Sequence, residues 1–323
     1  CAISLDSRPP PGDCRSMIQT DLFSTYSIVA ADADEIGVAM QTHQMSVGSL
    51  VPWLLPGLGA VATQSLVNVS LGPLGLRLLE QGVSPEHVVA ALESSDREAH
   101  RRQFAVIDAE GTAAAFTGEG CIREASHRTG NGYSVQANMM LKDTVVDAMA
   151  EAFEEHSGPL AERMIAVLDA AEAEAGDIRG MQSAALVSVQ NDRSAPSWKR
   201  RFDLRVDEHA TPLVELRRLV RLRRAQLIAG DGEAALAAGD VDTALERWRE
   251  ARELAPELEE LAFWQAVVLG DAAPERIGDA AAILREALDG ESAPSRWLDL
   301  IDRLADCGLV TTADLREKLQ AEL

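Results

Sequence analysis

What the chain lacks narrows its function first. Its four cysteines, Cys1, Cys14, Cys121 and Cys307, show no C-x2-C or related spacing, so the sequence offers no metal site of the zinc type. Basic residues are in deficit: 30 Lys and Arg stand against 52 Asp and Glu, a formal charge of −22. Such a field repels phosphate backbones and anionic lipid surfaces, so neither nucleic acid nor a membrane surface is an expected partner. No stretch approaches the roughly 20 apolar residues of a bilayer-spanning helix, because Gly, Pro, Gln or charge interrupts each apolar segment. Phosphate loops are absent too. Gly57-Leu58-Gly59 and Gly72-Pro73 lack both the full glycine fingerprint and a following Lys-Ser/Thr, and no cofactor is expected.

What is present describes two domains. The chain has 323 residues and is 46% hydrophobic, enough to bury a core in each. Residues 1–24 lack periodicity and read as a flexible leader. Three strand-like runs follow, Thr25 to Ala31, Ile36 to Thr42 and Leu58 to Gln64. Leu74, Leu78 and Leu79 recur at helical spacing before Gly82, and Ser84-Pro85 starts a second helix carrying Val88, Val89 and Leu92. A hairpin is read over Gln103 to Asp108 and Thr112 to Thr117, then a strand over Tyr133 to Met139. Paired helices over Lys142 to Glu155 and Pro159 to Ala175 precede a last strand, Gln182 to Gln190. This order does not alternate βαβ. It predicts an α+β layered sandwich over residues 25–210, closed by a linker from Asn191 to Arg201, rather than a doubly wound dinucleotide fold.

From about residue 222 the composition turns to Ala, Leu, Glu and Arg without strand signals, and residues 211–323 read as an all-α domain. Gly239, Ala244, Trp248, Ala251 and Pro256 match the second helix of a tetratricopeptide unit in type and spacing, with Gly232 fitting the first. A single repeat cannot bury its own face, so this region is expected to serve association, as a homo-oligomer or with a protein partner. Trp248, Trp264 and Trp297 are expected between helices.

Thr25 carries the clearest chemical signal. N-terminal-nucleophile (Ntn) hydrolases keep a hydroxyl or thiol nucleophile at the first residue of a strand, where a freed α-amine acts as general base. Threonine is equally an ordinary β-branched strand residue, so position alone leaves both readings open. The runs TYSIVAADADEIGVAMQTHQMSVGSLVPW, GLGAVATQS, CIREASHRTGNGYSVQANMM and GDIRGMQSAALVSV resemble the bacterial and archaeal family DUF1028, which is grouped with Ntn-hydrolase-like proteins. The resemblance covers about residues 25 to 220. It implies a four-layer αββα Ntn-hydrolase-like sandwich and an amidohydrolase acting on a small molecule or short peptide.

The nucleophile role requires scission between Ser24 and Thr25, since 24 residues precede Thr25. Asn138 is read as a donor to a developing oxyanion, and Gln136, two residues earlier, projects to the same strand face. His43 either orients a substrate, relays a proton or is structural. Asp177, Arg179 and Ser183 lie where a helix gives way to a strand, and the resemblance implies that they line the same cleft. Asp177 and Arg179 read equally well as a surface ion pair. Cys121 and His127 form a further thiol-imidazole candidate, although an inert cysteine is the commoner case. A non-catalytic binding or assembly module on the same fold is the alternative function. The opening Cys1 reads as a truncated or mis-set start of a cytoplasmic protein, with a lipid-anchored or secreted product as the alternative.

Overall fold

The computed structural model describes residues 22–23, 25–289 and 294–323. They fall into two compact units, up to Arg217 and from Arg218 onward. Strands come first: β1 (Leu22–Phe23), β2 (Thr25–Ala31), β3 (Glu35–Thr42), β4 (Pro52–Leu55) and β5 (Gly59–Leu66). Helices α1 (Leu71–Glu80) and α2 (Pro85–Ser95) precede β6 (Arg102–Asp108), β7 (Ala113–Thr117), β8 (Ser126–Gly130) and β9 (Tyr133–Asn138). Helices α3 (Val145–Glu155) and α4 (Leu160–Ala173) precede β10 (Ser183–Gln190) and β11 (Phe202–Val206). The strands form two antiparallel sheets, one ordered β1-β5-β6-β7 with β4 also on β5, the other β11-β10-β3-β2-β9-β8.

Strand alternation explains the layering. On one face of each sheet Val29, Val38, Met40, Ala60, Ala62, Ala105, Ile107 and Val187 meet in a single apolar layer between the sheets. On the outer face of the first sheet, Val61, Phe104 and Val106 meet Leu71, Leu76 and Leu79 of α1 and Val88 and Leu92 of α2. Helices α3 and α4 pack on the outer face of the second sheet. Gly37 permits that approach, because a Cβ there would lie 2.5 Å from Met164 Cε. Every residue of β2 and β3 is buried, as central strands covered on both faces must be.

Among its described residues the second unit has helices and no strand: the rest of α5 (Pro212–Ala237), then α6 (Val241–Leu254), α7 (Glu259–Ala272), α8 (Ile277–Leu288), α9 (Pro294–Asp306) and α10 (Leu315–Glu322). Its core is built on Trp248, Phe263, Leu269, Leu284, Ile301 and Leu319. Trp248 is fully buried, donates from Nε1 to Ala229 O (3.1 Å), and packs where Gly232 has no side chain. Trp297 stacks on Phe263 with ring centroids 4.7 Å apart, whereas Trp264, edge-on to the same ring, is 40% exposed and only partly fits the expected place between helices.

Three boundaries differ from the sequence reading. The last residues of the expected leader are paired, Leu22 with Leu66 and Phe23 with Ser65; Cys1, Cys14, Ser24 and the other leader residues lie outside those described. The segment after the linker contains β11, paired along β10 from Ala184↔Val206 to Ser188↔Phe202. The units divide within α5, because Leu213 and Leu216 of that helix are buried in the first unit's part of the chain.

Candidate functional site

At one end of the sandwich the apolar layer between the sheets becomes polar. Thr25 and Ser27 share the inward face with Val29, and Gln64 and Gln103 share it with Ala62 and Ala105. Thr25 is paired with Asn138, Ser27 with Gln136 and Thr42 with Ser183; because Tyr26 is paired with Gln41, the next position sets Thr25 beside Thr42. Asn138, Thr25, Thr42 and Ser183 therefore stand in one row across the sheet end, all buried. Gln136 and Asn138 face the same side, as their spacing requires.

Buried polar groups must be paired, and here amides do the pairing. Gln64 Nε2 donates to Thr25 O (3.1 Å) and to Gln103 Oε1 (2.8 Å), while its Oε1 accepts from Ser27 Oγ (2.6 Å). Asn138 Nδ2 donates to Gln103 Oε1 (3.0 Å) and, at 3.4 Å, to Thr25 O. Gln136 Nε2 donates to Ser27 Oγ (2.6 Å), and its Oε1 accepts from Ser134 Oγ (3.0 Å). Gln103 Nε2 reaches Thr117 Oγ1 (2.8 Å) and the carbonyls of Ser126 and Ala137. Sequence reasoning missed Ser27, Gln64 and Gln103. Their signal is a polar residue at an inward position of an otherwise apolar strand.

A second cluster adjoins the row. Asp177 is buried; its carboxylate accepts from His43 N (3.1 Å), from Arg179 N (2.9 Å) and from the Arg179 guanidinium (3.0 and 3.2 Å). The pair is therefore an anchor between two loops rather than a surface ion pair. Ser183 Oγ bonds Gln44 O and Val47 N, which fixes the loop after His43. His43 Nδ1 is buried without a hydrogen-bond partner among the described residues. Behind Thr25, Tyr26 donates to Glu172 (3.0 Å), and burial followed by the Glu172 charge pushes its phenol well above the ordinary range.

Cys121 and His127 line one cleft of about 410 Å³ with Thr117, Arg123, Glu124 and Ser126, but not as a pair. Cys121 Sγ donates to Arg102 O (3.3 Å) and burial pushes its thiol up, while His127 Nδ1 meets Thr117 Oγ1 (2.9 Å). Among the described residues no group of three or more His, Cys, Asp or Glu is placed to hold a metal ion, and no helix is long and apolar enough to cross a membrane.

The model of the family of unknown function DUF1028 matches residues 25–216, the strand-rich unit with its polar sheet end. The chain belongs to this family. The crystal structure of another DUF1028 protein, SPO2555 from Silicibacter pomeroyi, is similar to it at 31% identity and a TM-score of 0.56. That match covers 61% of this chain and 88% of the SPO2555 chain. No curated protein matches the chain.

Proposed function

We propose that residues 25–216 form an Ntn-type amidohydrolase in which Thr25, once its α-amine is free, attacks an amide of a small molecule or short peptide. One observation carries this reading: Thr25 opens a central strand opposite Asn138, two residues after Phe23, which pairs in the other sheet. The α-amine of Thr25 would take the hydroxyl proton. Asn138 would turn its Nδ2 from the long 3.4 Å bond with Thr25 O toward the oxyanion, while Gln103 holds the amide by the shorter one. His43, Gln136, Asp177, Arg179 and Ser183 would frame the substrate. Intact mass of protein from its native host tests this: the expected chain starts at Thr25, and Thr25→Ala remains uncut and inactive. Full turnover by an uncut chain would sink it.

The complete burial of Thr25 favours a second reading, a binding or assembly module. On either reading residues 218–323 serve association as a tetratricopeptide-like array. Their groove of about 710 Å³, lined by Glu257, Glu259, Glu286, Asp289 and Arg252, suits a basic partner segment. A chain that is never cut and turns over no amide leaves this second reading standing.

A further inference from the structure

Exposed large apolar side chains gather beside the candidate site. Ile122 is 40% exposed, Leu141 51% and Ile178 57%. Backbone hydrogen bonds tie them around one residue: Met139 N donates to Ile122 O (3.0 Å), and Ile178 N donates to Met139 O (3.2 Å). Leu141 N donates to Gly176 O (2.9 Å), and Met140 pairs with Asp177 as an antiparallel bridge, which sets Ile178 across from Met139. The patch thus begins one residue beyond Asn138 and ends one residue beyond Asp177. Met139 holds φ 58, a left-handed backbone that a branched or long side chain adopts only at a cost, and such strain concentrates at functional sites.

Apolar surface of this kind marks a binding site when it is contiguous. A second copy of the chain is a poor occupant. Three exposed side chains supply far less than the roughly 800 Å² per partner of a stable interface, and a formal charge of −22 opposes bringing two copies together. The patch has the extent of a single ligand chain, and its continuity with Asn138 says which end of the ligand faces it. We propose that Ile122, Leu141 and Ile178, set around the buried Met139, form a subsite for an apolar group of the substrate, held next to the amide that Thr25 attacks. The proposal rests on the amidohydrolase reading for the reaction, but not for the binding.

Binding is therefore measured apart from turnover. A series of N-acylglycinamides from acetyl to octanoyl is titrated calorimetrically into the full-length Thr25→Ala chain. Affinity should rise about twofold to fourfold per added methylene, a partial burial of each one on an open surface. Ile178→Asp and Leu141→Asp, both at exposed positions, should flatten that dependence while leaving the melting temperature unchanged. No binding, a flat series in the Thr25→Ala chain, or a slope that survives both substitutions overturns the subsite. A sedimentation mass that falls in Ile178→Asp, with the slope intact, overturns it in favour of a contact between copies. Failure of the amidohydrolase reading shows separately, as a chain with Thr25 intact that hydrolyses none of the series yet binds it with the expected slope.

Discussion

Gln103 is the residue on which the polar sheet end depends. Its Oε1 receives Gln64 and Asn138, and its Nε2 serves Thr117 and two carbonyls, so an apolar isostere strands groups on both sheets. Each buried group left unsatisfied costs about 1–3 kcal/mol. Gln103→Leu should therefore lose at least ~2 kcal/mol in urea denaturation, although it adds apolar surface. A loss below ~1 kcal/mol would mean that the network relaxes without it, and that Asn138 is held by other means. Neither Gln64 nor Gln103 was legible as a site residue in the sequence. Each lies in a strand whose neighbours announce a core, and only the facing of two sheets brings their amides together.

Among the elements, the central strands were legible, as was the β7 edge through its hairpin with β6, but the two edges of the second sheet were not. Thr25–Ala31 and Glu35–Thr42 carry β-branched and small apolar residues on both faces, a composition that only a covered strand sustains. By contrast β8 reads Ser-His-Arg-Thr-Gly and β11 Phe-Asp-Leu-Arg-Val, polar edge strands whose existence depends on a partner strand rather than on their own pattern. Helix α1 shows the same dependence in its packing. A Cβ on Gly72 would lie 2.2 Å from the Trp53 indole, itself fixed by Nε1 to Leu50 O (3.0 Å). Alanine is the better helix former by up to ~1 kcal/mol, yet overpacking costs about 1–3 kcal/mol. Gly72→Ala should come out destabilised on chemical denaturation; a stabilised variant would show that Trp53 moves aside freely.

For the whole molecule, the important division is between two separately built cores. Val29, Met40, Ala62 and Ile107 belong to one, Trp248, Phe263 and Leu284 to the other, and the described residues of each cluster stay within one unit. Trp248→Ala removes a fully buried indole, a loss of about 3–5 kcal/mol. Calorimetry should show a transition of the helical unit falling in temperature while that of the strand-rich unit stays in place. A single transition displaced as a whole would mean that the cores melt together. The compositional shift from about residue 222 was visible in the sequence; the division after residue 217 was not, because Leu213 and Leu216 are ordinary helix residues until a core receives them.

The amide network has a direction, and that direction links the two sheets. Gln64 and Asn138 donate to Gln103, and Gln103 donates to Thr117. Reversing Gln64 or Gln103 would set an amide oxygen against backbone carbonyls, those of Thr25 for the first and of Ser126 and Ala137 for the second, so the order of donors is held by the backbone. Thr117 Oγ1, which takes a Gln103 proton, also lies 2.9 Å from His127 Nδ1. A glutamine of one sheet and a histidine of the other thus share a single hydroxyl, so that a change at Gln103 reaches His127 through Thr117.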